Sequence, residues 1–227
     1  MHNSEVQETQ LIQTVLVYAL PVIFAITLHE AAHGYAARFL GDPTAWQLGR
    51  VTLNPWVHID WLGTILMPVL LYFATSGAFL FGYAKPVPVD WGRLRKPKRD
   101  MIWVALAGPL SNLLQALVWA VAWLLLVAFG WQERFFIEMC QAGVLSNVVM
   151  FAFNLFPLPP LDGGRVITGL LPWRLAMTFA RIEPYGFFIV MALVLVGAIN
   201  AFWMQPLMGL TYALVNGMLY PLKFLLQ

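Results

Sequence analysis

Six long apolar runs constrain what this chain can fold into more than any other feature of its sequence. Each run approaches or exceeds the roughly 20 residues that an α-helix needs to cross the hydrocarbon core of a bilayer. The runs lie at about 11–37, 62–81, 101–129, 135–156, 184–199 and 202–222. They predict an all-α polytopic membrane protein with five to six hydrophobic segments, inserted as a multi-pass protein in the cell membrane.

The composition agrees with this class. Of the 227 residues, 60% are apolar and 11% are charged, whereas an ordinary soluble domain has roughly 45–50% apolar and 25% charged residues. No stretch outside the runs is long enough to bury a core of its own, so we expect a single membrane domain over 1–227.

Charge and cysteine content exclude further classes. The formal net charge is +2 and the basic residues lie in short loops, so the chain offers no long basic face for nucleic acid. The single cysteine, Cys140, permits neither an intramolecular disulfide nor a cysteine-based metal cluster. The first ten residues contain no Lys or Arg, unlike the basic region of a secretory signal, and we expect the first helix to be retained.

Two polar segments interrupt the runs. Residues 43–60 space their apolar side chains mostly by two around Gly49 and Asn54-Pro55, which is typical of extended strands joined by a turn. We therefore predict a small membrane-associated β-hairpin after the first helix. Residues 82–100 contain three prolines and a cluster of basic residues, and they are predicted to form the main extramembrane loop.

The motif that carries chemistry lies in the first apolar run, at His29-Glu30-Ala31-Ala32-His33. Positions i and i+4 of a helix share a face, so both imidazoles can reach one Zn2+, and the Glu between them can take a proton from a water on that ion. Chance would produce this spacing in about one chain of this size in a hundred. Ionisable residues inside a membrane span are costly and mark functional sites. The motif predicts a zinc site of the hydrolytic type.

A catalytic zinc needs a third protein ligand and an open position. Most of the acids lie in loops or at the ends of the runs. Asp162 instead lies in a stretch, 154–164, where three prolines and two glycines break a membrane helix. Broken backbone at membrane depth is tolerated where it lines a cavity. We predict Asp162 as the third ligand, with His58 in the strand-like loop as the alternative.

These motifs together resemble the site-2 protease family of intramembrane zinc metalloproteases, in its short bacterial or archaeal branch. The resemblance also covers Ala107-Gly-Pro-Leu-Ser-Asn112 and Gly82-Tyr-Ala-Lys-Pro-Val-Pro-Val89, so it spans most of residues 20–170. The sequence has no room for the PDZ domain or the CBS pair of longer relatives, which leaves substrate choice and regulation open.

The resemblance implies one Zn2+ per chain on His29, His33 and Asp162, with Glu30 as the catalytic acid/base. It also implies a role for Asn154, eight residues before Asp162, in holding the substrate backbone or the oxyanion. Considered alone, Asn154 fits either an amide donor near the zinc or a cap for the freed carbonyls of a helix end. The catalytic core then covers about 11–170, and the segments at about 184–222 are accessory.

Two arrangements of the runs in the membrane are open. If all six cross, ten of the 13 Lys and Arg residues are cytoplasmic, but the two halves of the site lie roughly 20 Å apart, judged from the helix rise per residue. If 62–81 dips into the bilayer and returns, the halves meet and twelve of 13 are cytoplasmic, which satisfies the positive-inside rule better. We prefer the re-entrant arrangement, with the site facing the cytoplasm.

These features predict an intramembrane zinc endopeptidase that hydrolyses a peptide bond in or near the transmembrane helix of a single-span membrane protein. Its partners are that substrate and the lipid bilayer, with no nucleic acid and with homo-oligomerisation left open. Two alternatives use the same residues: a membrane zinc transporter, which gives no reason for Glu30, and a catalytically inactive scaffold that binds membrane helices.

Overall fold

The computed structural model describes residues 2–74, 82 and 84–226, and within them the chain is helical, without a strand. The α-helices in chain order are α1 (His2–Phe39), α2 (Thr44–Gln47), α3 (Met67–Ala74), α4 (Pro97–Ala128), α5 (Arg134–Asn154), α6 (Asp162–Leu170), α7 (Trp173–Ala180), α8 (Glu183–Leu195) and α9 (Gln205–Leu225). Short 3-10 turns lie at Pro55–His58 and Trp91–Arg93, and π-helical turns lie at Trp61–Leu66 and Asn200–Met204. The prediction of an all-α protein is confirmed.

Three of the described helices are long and apolar enough to cross a membrane: α1 from Ile12 onward, α4 and α5. A fourth span is added if α7 and α8, which meet at a 65° bend, count as one. Helix α9 has 21 residues but is less apolar, since it contains Gln205, Thr211 and Asn216. The predicted segment 62–81 continues past α3 into 75–81, which lie outside the described residues.

Helix α4 forms the centre of the molecule and packs against α1, α5, α6 and α9. It runs antiparallel to α1, because Val104 near its start packs with Ala37 near the end of α1, whereas Asn112, two turns further, bonds to the carbonyl of Ala25. Helix α5 runs in the direction of α1. The C-terminal ends of α1 and α5 and the N-terminal end of α4 therefore lie at the same end of the bundle. We call this end the site end.

Residues 90–95, just before α4, lie at the site end beside the end of α1. The N–H of Arg95 donates to the carbonyl of Leu40 at 3.0 Å, and the N–H of Asp90 donates to the Asp42 carboxylate at 2.7 Å. These contacts place residues 90–95 beside the end of α1 and the residues that follow it.

The predicted β-hairpin over 43–60 is wrong. These residues form α2, an irregular connection and the Pro55–His58 turn. Local bonds explain the difference: the N–H of Leu48 bonds back to the first residue of α2 at 3.1 Å, and the Asn54 side chain accepts the N–H of Trp56 at 3.1 Å. Because these groups bond within two to four residues, they are not available for a ladder between strands.

Candidate metal centre

The last third of α1 carries His29 and His33 one helical turn apart. No proline interrupts α1 after Pro21, so the i, i+4 spacing places both rings on one face. Their Nε2 atoms lie 3.1 Å apart, and the ring planes are inclined by 84°. His29 is buried and His33 is half-buried, so the pair faces the protein interior.

Helix α6 places the carboxylate of its first residue, Asp162, against this pair. Asp162 Oδ2 lies 3.2 Å from His29 Nε2 and 3.3 Å from His33 Nε2. The helix starts directly against the turn that precedes it, because a Cβ atom on Gly163 would lie only 2.2 Å from the carbonyl oxygen of Leu155. The Gly pair after Asp162 therefore serves a close approach to its own turn and thereby sets where the carboxylate lies.

Acceptors behind the two rings determine which ring nitrogens face the cluster. His33 Nδ1 lies 2.7 Å from the carbonyl oxygen of Val104. A carbonyl can only accept, so Nδ1 carries the hydrogen and Nε2 keeps its lone pair. His29 Nδ1 lies 2.6 Å from the side-chain oxygen of Asn112, which has the same consequence. Both Nε2 lone pairs are thus directed toward the Asp162 carboxylate.

Three acceptor atoms, the Nε2 atoms of His29 and His33 and Oδ2 of Asp162, lie close together with no donor from the described part of the chain between them, an arrangement that a cation would stabilise. They lie within 4.8 Å of one another, and Asp162 Oδ2 is buried without a hydrogen bond from the described residues. Tetrahedral zinc, with N and O ligands at about 2.0–2.1 Å, requires donor atoms about 3.3 Å apart, close to the measured separations. Two imidazoles and one carboxylate are also a donor set of catalytic zinc sites that keep an open position.

Glu30 lies beside the cluster and is held by the segment before the Trp91–Arg93 turn. Its Oε2 accepts the backbone N–H of Val87 at 2.8 Å. Arg50 holds the same segment, since its Nη2 donates to the carbonyl of Lys85 at 3.0 Å. The 84–89 segment therefore covers Glu30 and orients its carboxylate.

Gly108 of α4 brings that helix into contact with the two imidazoles. A Cβ atom at this position would lie 2.3 Å from His33 Nε2 and 2.6 Å from His29 Cε1. Any side chain would collide with the donor atoms themselves. Gly108 is thus a third component of the centre, beside the HEAAH motif and Asp162, because only a residue without a side chain fits here.

Two of the residues considered from the sequence make hydrogen bonds within their own segments. Asn154, at the end of α5, donates its Nδ2 to the carbonyl of Met150 at 3.0 Å. His58, the alternative ligand, is buried in its turn, where Nε2 lies 3.1 Å from the carbonyl of Thr52. His58 is not in the group of described residues that could share a metal ion.

Sequence reasoning missed Gly108, Asn112 and Val87 as parts of the site. Asn112 carried a signal, because an amide within an apolar run is costly and lies four residues after Gly108, on the same helical face. Val87 lies in the 82–89 stretch that the resemblance covers, but its side chain indicates no role, since it acts through its backbone N–H.

Comparison with known proteins identifies the family to which this chain is similar. The family profile described as Peptidase family M50 matches residues 131–197, a range that contains Asp162. "Putative zinc metalloprotease YwhC" of Bacillus subtilis is 37% identical over 199 residues, 84% of this chain and 84% of that protein. "Putative zinc metalloprotease Rip2" of Mycolicibacterium smegmatis is 29% identical over 203 residues, 86% of this chain and 74% of that protein. The protein of the same name from Mycobacterium tuberculosis is 27% identical over 206 residues.

No solved structure matches the chain. The relatives are named as zinc metalloproteases, and the described helices include several that could cross a membrane. Identity of 37% over 84% of both chains confirms the resemblance. The chain therefore belongs to Peptidase family M50, the site-2 protease family of zinc metalloproteases.

Proposed function

We propose that this protein is an intramembrane zinc endopeptidase that hydrolyses a peptide bond in or near the transmembrane helix of a single-span membrane protein. His29, His33 and Asp162 hold the zinc, and Glu30 is the general base. The observation that carries the proposal is the convergence of three acceptor atoms, from α1 and α6, within 4.8 Å of one another. Glu30 lies beside them in the same helix.

When bound, zinc supplies a Lewis acid that polarises the scissile carbonyl and acidifies a water. Glu30 accepts a proton from the attacking water and transfers it to the leaving amine as the C–N bond breaks. The water oxygen is retained on the new carboxyl group. The Val87 N–H holds the Glu30 carboxylate in place for both transfers.

Asn154 is proposed to stabilise the oxyanion that forms on the scissile carbonyl. Its Nδ2 bonds the Met150 carbonyl within α5, a carbonyl that also lies within the helix ladder. Rotation of the side chain would release this donor for the substrate. An amide donor aligned with the oxyanion contributes about 100- to 1,000-fold to acyl-transfer rates.

The site is proposed to face the cytoplasm, because the site end of the bundle holds most of the basic residues. Arg38, Lys98 and Arg99 lie at the ends of α1 and α4 that form the site end, and Arg134 at the opposite end is paired with Glu138. Positive charge favours the cytoplasmic side. With this orientation the N-terminus is external and 62–81 returns to the cytoplasmic side.

A single introduced cysteine tests this orientation. In a Cys140→Ala background, Ser4→Cys should react with a membrane-impermeant thiol reagent added to the outside of intact cells. Labelling only after the cytoplasmic side is opened would contradict the proposed orientation. The Cys140→Ala chain without the second change is the control for background labelling.

The function itself is tested by zinc content and by cleavage of a panel of single-span substrates in detergent. Glu30→Gln should keep stoichiometric zinc but cleave about 100- to 10,000-fold more slowly, because it loses only the proton acceptor. Undiminished cleavage by this variant would contradict the mechanism. Zinc flux in proteoliposomes that survives Glu30→Gln would identify a transporter, and function that survives His33→Ala would identify a scaffold.

A further inference from the structure

Two buried asparagines connect His29 to the helices behind it. Asn112 of α4 and Asn147 of α5 are both 0% exposed. The Asn112 side-chain oxygen accepts His29 Nδ1–H at 2.6 Å. Its Nδ2 donates to the carbonyl of Ala25 at 3.1 Å and to the side-chain oxygen of Asn147 at 2.9 Å. Three helices thus meet through one chain of hydrogen bonds.

Backbone carbonyls determine the direction of this chain. Ala25 O can only accept, so the NH2 group of Asn112 must face it, and the Asn112 oxygen must face His29. Asn147 is oriented in the same way, because its Nδ2 donates to the carbonyl of Gly143 at 2.9 Å. If Asn112 were rotated by 180°, its oxygen would face two acceptors and its NH2 group would face His29. The imidazole would then carry its hydrogen on Nε2 and lose the lone pair that points at Asp162.

We propose that Asn112 is a positioning residue for zinc binding. Asn147 holds the Asn112 amide in the orientation in which its oxygen faces His29. Asn112 selects the Nδ1–H tautomer of His29 and fixes the plane of the ring, so that Nε2 is always available to the metal. This inference rests on the proposed function, since it assumes that His29 is a ligand. It adds a role for residues outside the ligand set.

The chemistry of the site explains why an amide serves here. A carboxylate would accept from His29 equally well, but it would bury a second negative charge inside the membrane helices. An amide accepts without a net charge, and its two donors tie α4 to α1 and α5. His33 needs no such partner, because the Val104 carbonyl accepts its Nδ1–H.

Zn2+ affinity of the purified metal-free protein in detergent, measured against a chelating dye, tests the proposal. Asn112→Leu removes the acceptor at similar volume and should weaken Zn2+ binding about 10- to 100-fold. Asn147→Leu should weaken it less, because Asn112 keeps the Ala25 carbonyl as an acceptor for Nδ2. Gln115→Leu is the matched control: Gln115 is also an amide of α4, 9% exposed, and its side chain has no hydrogen-bond partner among the described residues.

The Asn112→Asp variant distinguishes a role of Asn112 in positioning His29 from a role in stabilising the fold. It keeps the acceptor for His29 but loses both donors and buries a charge, so the metal-free protein should unfold at a lower temperature while Zn2+ affinity stays near the wild-type value. A purely structural role for Asn112 predicts that Zn2+ affinity and unfolding temperature fall together in both Asn112 variants.

Three results would overturn the inference: wild-type affinity in Asn112→Leu, equal losses in Gln115→Leu and Asn112→Leu, or equal losses in Asn112→Asp and Asn112→Leu. The His33→Ala variant distinguishes failure of the inference about Asn112 from failure of the proposed zinc-protease function. If the wild type binds no Zn2+, or binds it equally after His33→Ala, both proposals fail. If His33→Ala abolishes binding and Asn112→Leu does not alter it, only the inference fails.

Discussion

Helices α4 and α5 take part in two regions that are built on different physical principles. The polar seam, between α1, α4 and α5, consists of His29, Asn112 and Asn147 joined by hydrogen bonds of defined direction. The apolar core, between α4, α5 and α9, has aliphatic side chains at its buried positions, with Trp119, Tyr212 and Met208 among the residues packed around them. Its buried residues are Ala116, Ala120, Val144, Val148, Val215 and Leu219.

The difference lies in what each region specifies. In the seam each donor has a particular acceptor. Replacing one donor or acceptor group can therefore change which ring nitrogen of His29 keeps its lone pair for a metal ion. In the core, contacts are non-directional, and a change of volume is felt as lost packing without any change in chemistry. We therefore expect seam substitutions to alter metal binding and catalysis, and core substitutions to alter stability alone.

Among substitutions that compare these two regions, the largest effect is expected at Gly108, where α4 touches the imidazoles. Gly108→Ala would place a Cβ atom 2.3 Å from His33 Nε2, so α4 or the rings must shift. A misplacement of about 1 Å at a catalytic centre costs about 100-fold in rate, and zinc content should fall as well. Zinc content and substrate cleavage measure this effect. Gly209→Ala in α9 is the control, since nothing lies within 4 Å of its added Cβ, and an equal loss there would contradict the role of Gly108.

The next effect concerns the N–H that holds Glu30. Val87→Pro removes this donor from the 84–89 segment and should lower the cleavage rate about 10- to 100-fold, the value of a hydrogen bond to a charged group. Zinc content should not change, because the ligands are untouched. Val87→Ala keeps the N–H and serves as the control. Cleavage at the wild-type rate in Val87→Pro would show that Glu30 does not need this contact.

Asp42 gives a pH-dependent effect on stability. Burial raises the pKa of this carboxyl, but hydrogen bonds from Thr44 and from the N–H of Asp90, with the charge of Arg93, outweigh it, so the pKa lies below its usual value. A group with a lowered folded-state pKa stabilises the protein fully above its unfolded-state pKa, about 3.9, and loses this contribution as the pH falls through the folded-state pKa.

Unfolding temperature against pH measures this contribution of Asp42. Asp42→Asn should cost about 2 kcal/mol at neutral pH, because it replaces an ionised acceptor by a neutral amide, and the loss of stability on acidification should become shallower. A wild-type acid transition that Asp42→Asn leaves unaltered would assign the acid sensitivity to other carboxyls.

The smallest effect on function is expected in the apolar core. Val148 is 0% exposed, and Val148→Ala should leave a cavity that costs about 1–2 kcal/mol of stability. Zn2+ affinity should stay at the wild-type value, because no hydrogen bond changes. If this variant weakened Zn2+ binding as much as Asn112→Leu does, the distinction between the seam and the core would fail.

Sequence reasoning succeeded where the structure is local. His29 and His33 lie one turn apart in a helix with no proline after Pro21, so their shared face follows from the period of the helix alone. Asp162 could be selected because few acids lie at membrane depth. The hairpin prediction failed because alternation of apolar residues does not reveal where backbone hydrogen bonds go. Side chains such as Asn54 offered the backbone tighter, local partners.

The sequence by itself determined the helical membrane class, the HEAAH motif and the expectation of a third ligand in the broken stretch 154–164. The tertiary structure decided that α1 and α4 run antiparallel, that residues 90–95 return to the end of α1, and that Asn112 rather than a nearer residue receives the hydrogen of His29. Asn112 and His29 are 83 residues apart in the chain. Periodicity and spacing describe contacts within a helix, whereas partners that distant are chosen by the packing of three helices, in which each buried donor must meet an acceptor.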